Sequence, residues 1–318
     1  MGVYASWVWE ATGDNLNDFA RGIKLLGLLG EGIVLAALAR FAGLPAFVAY
    51  ATAPAAILVS AWHGNTDTLM AAFVIVAAIA FDRDRFFTAG LSFGAALNVK
   101  LLPLVLLPLL LIGAPDRRAL WRICAALALA AVPYIPLLVT SAGDLYDNMI
   151  AYNSIPNDWG LNAFFNQAVQ QPELEGTFTP IRDAFLDYGR YLVLAGVIAL
   201  ALASRARLHF SMVEQFALGG SLFLLLTPGF GVQYTILVVA ALILVDLPYG
   251  IAWAWLAGGF IAILYSAVPL TDFSIKHESN EHLLVLWALV GVLAWALLAL
   301  FVWQTLSARY RRAATIGG

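Results

Sequence analysis

The chain is 318 residues long, 62% hydrophobic and 12% charged, with 17 Lys and Arg against 20 Asp and Glu and a formal net charge of -3. Together with a mean hydropathy of +0.85, this composition excludes a soluble domain with a polar surface and predicts a polytopic membrane protein. The small net charge offers no footing for nucleic acid, and the single cysteine, Cys124, can build neither an internal disulfide nor a cysteine metal site.

Residues 1–20 carry no basic start, apolar core or small-residue cleavage site, so they do not read as a signal peptide. Apolar segments follow at 22–40, 44–61, 68–81, 86–99, 101–114, 120–140, 186–204, 212–227, 232–246, 248–268 and 283–304. Several fall short of the roughly 20 residues needed to cross a bilayer alone and suit helices buried among others. The expected fold is an all-α, single-domain transmembrane bundle of about 9–11 segments over 1–318. Three regions lie outside it: an external remnant at 1–20, an external loop at 141–185 and a cytoplasmic basic tail at 305–318. Within that loop, apolar residues at three-to-four spacing from Leu161 to Val169 predict an amphipathic helix on the bilayer surface. Trp7, Trp9, Trp62, Trp121, Trp159 and Trp303 lie toward segment ends, as expected of interfacial aromatics. No internal repeat is visible.

Orientation turns on whether 86–99 and 101–114 form a hairpin or one long helix. A hairpin gathers Arg40, Arg83, Arg85, Arg117, Arg118, Arg122, Arg205, Arg207, Arg309, Arg311 and Arg312 on one face, which is then cytoplasmic. A continuous helix would split these clusters. The hairpin sends four polar features to the opposite face: the string His63-Gly64-Asn65-Thr66-Asp67, Lys100 at the hairpin tip, the loop 141–185, and the turn from Thr227 to Tyr234. Convergence of separate segments on one mouth of a bundle is what a site requires.

The residue types admit both a chemical and a structural role. Lys100 near the headgroup level could meet a lipid phosphate as a point charge with three donors, or simply snorkel and anchor the hairpin. Asp67 or Thr66 could cap the helix that begins at 68, which does not exclude substrate contact. Asn65 could hydrogen-bond a ligand or close the turn with Gly64, and His63 could bind an anion when charged. Gln233 and Tyr234 follow a Pro-Gly-Phe-Gly turn and are candidates for substrate contact. Trp159 could stack on a ligand, although interfacial anchoring is the more economical reading. Glu31 is a carboxylate inside the first span and ranks below these. No His, Asp or Glu set has convincing metal-ligand spacing; a divalent ion is compatible with the chain but not indicated.

The ordered strings SAWHGNTDTLM, AGLSFGAALNVKLLPLVLLPLLL, YNSIPNDWGLNAFF and LLTPGFGVQYTILVV resemble the GT-C class of integral-membrane glycosyltransferases. The likeness is closest to the bacterial mannosyltransferase-like, glycosyltransferase family 87-like enzymes, over most of residues 20–305. It implies transfer of a hexose, mannose by resemblance alone, from a polyprenyl-phosphate donor to a lipid, glycan or protein hydroxyl on the extracytoplasmic face of the cell membrane. Membrane lipids are the further partners. The family's catalytic Asp lies in a first external loop before a segment that commonly reads Tyr-Pro-Pro. Here Gly2 to Trp7 resembles the stretch just after that segment, so the expected base lies upstream of Met1, and the chain reads as lacking a first helix and loop and as inactive or weak alone. Glu10, Asp14 and Asp18 align with no motif and do not inherit the role. The alternative is a transporter or flippase of polyprenyl-linked or amphiphilic solutes, but such proteins tend toward internal repeats and midplane polar sites, whereas these polar residues gather at one end.

Overall fold

The computed structural model describes residues 8–12, 16–62, 65–141, 143, 159–267 and 281–316. Among them there is no β-strand, as an all-α bundle requires. The helices are α1 (Leu16–Phe41), α2 (Gly43–Ala51), α3 (Pro54–Ile57, continuing as a π-turn over Leu58–Trp62), α4 (Asp67–Phe81) and α5 (Phe86–Val99). They continue as α6 (Leu107–Gly113, entered through a 3-10 turn at Leu102–Leu106), α7 (Arg117–Ala131), α8 (Ile135–Thr140), α9 (Gly160–Val169) and α10 (Pro172–Ala203). The last four are α11 (Met212–Leu226), α12 (Ile236–Val245), α13 (Leu247–Ala267) and α14 (Glu281–Ile316).

Four described helices are long and apolar enough to cross a membrane, at Arg21–Phe41, Pro172–Leu208, Leu247–Ser266 and Val285–Thr315. Helices α2 and α3 together are long and apolar enough for a fifth, broken span or a re-entrant loop, bent by 50° at Thr52 and Ala53, where Pro54 cannot continue the hydrogen-bond ladder. Five of the six remaining expected segments are shorter apolar helices, and the sixth, 120–140, is divided between α7 and α8, where Trp121, Leu129, Ile135 and Val139 are exposed. Among the five, α4 buries Met70, Ala72, Ile75, Ala77 and Ala78 almost completely, and α12 buries every residue from Ile236 to Ile243. A helix hydrophobic on all sides belongs inside a bundle, where its neighbours rather than lipid cover it.

The hairpin at Lys100 is present. Phe81 and Phe86 meet edge to face at 5.2 Å, and Ala114, Ala119 and Ile123 pack against Phe86, so α5 and α6 begin and end at one level. Lys100, extended at φ -159° and ψ 143°, marks the other end. Basic side chains collect at the Phe86 end: Arg83 lies 3.8 Å over the Phe41 ring, Arg205 donates to the Ile112 and Ala114 carbonyls, and Arg309 pairs with Glu214 at 2.6 Å. Asp82 holds the same end together by accepting from the backbone N–H groups of Met212 (2.6 Å) and Val213 (3.1 Å) at the start of α11.

Two boundaries differ from the sequence reading. Helix α10 starts at Pro172, so residues 172–185 are helix rather than loop; Glu173, Glu175, Arg182 and Asp183 make this stretch polar without breaking its periodicity. The expected short helix exists as α9, and it packs on α10 through Phe165 and Phe185, with ring centroids 5.4 Å apart. The 305–318 tail continues α14 to Ile316. The rest of the expected loop, with Tyr146, Met149, Ile150 and Tyr152, lies outside the described residues.

Candidate active site

Short and long helices together set the depth of the polar layer. At about 1.5 Å per residue, the 15 residues of α4 span about 22 Å from the basic end to Asp67. Helix α1 runs much further. It meets the start of α4 at Gly30, where a Cβ would lie 2.5 Å from the Leu69 nitrogen, so only glycine permits this approach. Residues 16–29 therefore extend about 21 Å past that contact. Helix α14 behaves alike, since Trp295 Nε1 donates to the Leu225 carbonyl at 3.2 Å while the helix begins at Glu281.

On this layer the structure brings Asp67, Lys100 and Tyr234 together. The Lys100 ammonium donates to both oxygens of Asp67, at 2.9 and 3.0 Å, and lies 4.8 Å over the Tyr234 ring. The Asp67 side chain is 0% exposed, whereas that of Lys100 is 32% exposed. The carboxylate is thus committed and hidden, and the ammonium retains one N–H and an open side. Tyr234 adds the negative face of its ring to the cation. Asp67 is held from behind as well, because its N–H donates to Asn65 Oδ1 at 3.2 Å. That bond assigns to Asn65 the capping considered for Asp67 and Thr66: the Thr66 side chain makes no cap hydrogen bond, and Asp67 is the first residue of α4.

Gln233 and Tyr234 are half-buried in a 3-10 turn at Val232–Thr235. The Gln233 amide folds back over Gly231, where a Cβ would sit 2.6 Å from its Nε2. His63 and Gly64 lie outside the described residues.

Trp159 departs from both of its expected roles. It is 2% exposed, stacked on Phe230 at 4.2 Å and 9°, and edge-on to Phe260 and Trp253, while its Nε1 donates to the Leu224 carbonyl at 2.7 Å. A ring enclosed in this way neither anchors at an interface nor stacks on a sugar; it fixes the Thr227–Val232 turn that carries Gln233 and Tyr234. Trp62, Trp121 and Trp303, by contrast, are exposed at 64%, 74% and 70%, as interfacial aromatics are. Phe230, Trp253, Phe260 and Trp295 complete the support of the turn. Phe230 belongs to the Pro-Gly-Phe-Gly turn that the sequence singles out, whereas Trp253, Phe260 and Trp295 pass in sequence for ordinary span residues.

Glu31 lies among hydroxyl groups rather than beside Lys100. Its carboxyl group faces Ser60, Tyr50 and Thr68 from the buried side of α1. Among the described residues, no group of three or more His, Cys, Asp or Glu side chains could hold a metal ion.

A buried carboxylate orienting a half-exposed ammonium is a means of presenting positive charge at fixed geometry inside a low-dielectric bundle. An anionic group can accept from the remaining N–H. No curated protein and no solved structure matches the chain. The model of glycosyltransferase family 87 matches residues 20–228, about two thirds of the chain; Asn65, Asp67, Lys100 and Trp159 fall inside the match, and Gln233 and Tyr234 fall beyond it. A match of that extent, on an all-helical membrane bundle, shows that the chain belongs to glycosyltransferase family 87 and that its activity is that of a transferase.

Proposed function

We propose that this glycosyltransferase is of the GT-C type and takes a hexose from a polyprenyl-phosphate donor at the end of the bundle opposite the basic residues. The positive-inside rule makes the basic end cytoplasmic and the Asp67–Lys100 layer extracytoplasmic. With α4 spanning about 22 Å of a hydrocarbon core about 30 Å thick, the ammonium sits below the headgroup plane. A lipid-borne substrate suits that depth better than a freely dissolved nucleotide sugar, because its carrier is already in the bilayer.

The observation that carries this reading is the bidentate Lys100–Asp67 pair with one side of the ammonium open. In transfer, the acceptor hydroxyl attacks the anomeric carbon, the bond to the phosphate oxygen breaks, and negative charge accumulates on the departing polyprenyl phosphate. The free N–H of Lys100 stabilises that charge. Asp67 is a positioning residue, since both of its oxygens accept from Lys100; removal of the acceptor's proton is work for a different carboxylate. Gln233 and Tyr234, on the firmly seated turn, provide an amide and a phenol for the sugar. A mannosyl donor and a lipid, glycan or protein acceptor complete the proposal.

The test uses the full-length protein, with any segment encoded upstream of Met1, in detergent with a radiolabelled polyprenyl-phosphate hexose. Lys100→Met lowers kcat/KM by about 100-fold or more, the scale on which loss of one group stabilising transition-state charge is felt. Lys100→Arg, which keeps charge but not geometry, falls between. A folded Lys100→Met protein with kcat/KM unchanged would leave the pair purely structural.

A further inference from the structure

Behind the Asp67–Lys100 pair lies a second polar cluster that glycosyl transfer does not use. Glu31 of α1 faces the hydroxyls of Tyr50 on α2, Ser60 on the π-turn and Thr68 on α4. Tyr50 is 1% exposed and Thr68 is 0% exposed. Glu31 Oε1, Tyr50 Oη and Thr68 Oγ1 are all buried without a hydrogen bond of proper geometry. Three such atoms pointing at one another is unusual, since buried polar groups in native proteins are nearly always satisfied. Ser60 donates its own proton to the Ala56 carbonyl at 2.8 Å, so it offers the cluster only lone pairs. Tyr50 and Thr68 can turn their O–H groups toward the carboxylate or their lone pairs toward an ion, so the cluster offers up to four oxygen ligands around one carboxylate. Lys100, the nearby cation on this layer, is engaged with Asp67.

We infer that Glu31, Tyr50, Ser60 and Thr68 form a binding site for a monovalent alkali cation, set between α1, the bent pair α2–α3 and α4. The donor set selects the ion. All four ligating groups are hard oxygens, which disfavours the soft and borderline transition metals that prefer sulfur and imidazole. One carboxylate neutralises one positive charge, whereas calcium and magnesium sites generally recruit more acidic oxygen. A neutral cation–carboxylate pair is also the arrangement that a low-dielectric bundle tolerates, since an isolated buried carboxylate is expensive. Occupancy would tie α1 to α4 one residue from Asp67, and so steady the carboxylate that orients Lys100. The proposal does not depend on the identity of the sugar donor.

The experiment measures thermal unfolding of the purified full chain in detergent at constant ionic strength, with choline chloride replaced stepwise by sodium, lithium or potassium chloride. Binding is expected to raise the Tm saturably, by about 3 °C at concentrations far above Kd, for at least one of the three ions. Glu31→Gln is expected to abolish that response, and Thr68→Val to shift it to higher ion concentration. Direct binding of radioactive sodium to the wild-type protein, with unlabelled lithium and potassium as competitors, gives a readout needing no variant. Equal Tm in all four salts together with no saturable sodium binding would overturn the inference, as would a full ion response in Glu31→Gln.

Discussion

Removing the ammonium of Lys100 should damage the fold more than removing its partner, because burial of the pair is one-sided. The two charges lie 2.9 Å apart, which corresponds to an attraction of about 6 kcal/mol at an effective dielectric of about 20. Lys100→Met abolishes this and takes from the Asp67 carboxylate, 0% exposed, the ammonium that both of its oxygens bind. Breaking a buried pair in this way costs about 3–5 kcal/mol. The lower end applies, since Lys100 is 32% exposed and water already shares its charge. For a chain of this size about 3 kcal/mol corresponds to a fall of about 6 °C in Tm. Asp67→Asn instead frees an ammonium that can hydrate or snorkel, and should cost only about 1 kcal/mol. The double variant Asp67→Asn with Lys100→Met should recover most of the single Lys100 loss. Fluorescence-detected unfolding in detergent measures all three. A Lys100→Met protein as stable as the wild type, or an Asp67→Asn protein that is the weaker of the two, would refute the assignment of Asp67 as the hidden, dependent partner.

Gly30→Ala should loosen the contact between α1 and α4 by about 1–3 kcal/mol, since its Cβ would lie 2.5–2.7 Å from backbone atoms of Thr68 and Leu69 that cannot step aside; unfolding and the pattern of cysteine cross-linking between the two helices both report it. Trp159→Ala should cost about 3–5 kcal/mol and lower transfer activity through the Gln233–Tyr234 turn, while Trp159→Phe, which keeps the stack on Phe230 but not the bond to the Leu224 carbonyl, should cost less; equal losses in the two would argue against that hydrogen bond. Asn65→Ala should lower stability by about 1 kcal/mol as a lost cap, with Asn65→Asp close to wild type, and a large rise in donor KM without loss of stability would show sugar contact instead. Asp82→Ala, at the opposite end, should destabilise by about 1–2 kcal/mol through the two freed N–H groups of α11 and leave donor KM unchanged.

The class of fold is legible in the composition, because a chain this apolar has no means of satisfying its backbone in the bilayer except by helices or closed barrels, and the apolar runs are too long and continuous for barrel strands. The hairpin at Lys100 is legible from the distribution of arginines, since charge is costly to leave on both sides at random, and the Leu161–Val169 helix from its period. The start of α10 at Pro172 is not legible from hydropathy. That signal reads immersion in lipid, and Glu173, Glu175, Arg182 and Asp183 make 172–185 polar while leaving it helical.

At the site, residue types and spacing already tell which side chains carry charge or hydrogen-bonding capacity and at which end of the spans they stand. Tertiary structure alone decided who pairs with whom. Lys100 and Asp67 are 33 residues apart, and their bidentate contact exists because α4 and α5 pack along their full length with both polar termini at one level. Trp159 looks in sequence like any aromatic near a segment end, and it becomes a core residue only because Phe230, Trp253 and Phe260 arrive from distant segments to enclose it. Periodicity and charge are local properties of a chain, whereas burial is a property of its neighbours, and in a bundle of helices those neighbours come from far along the sequence.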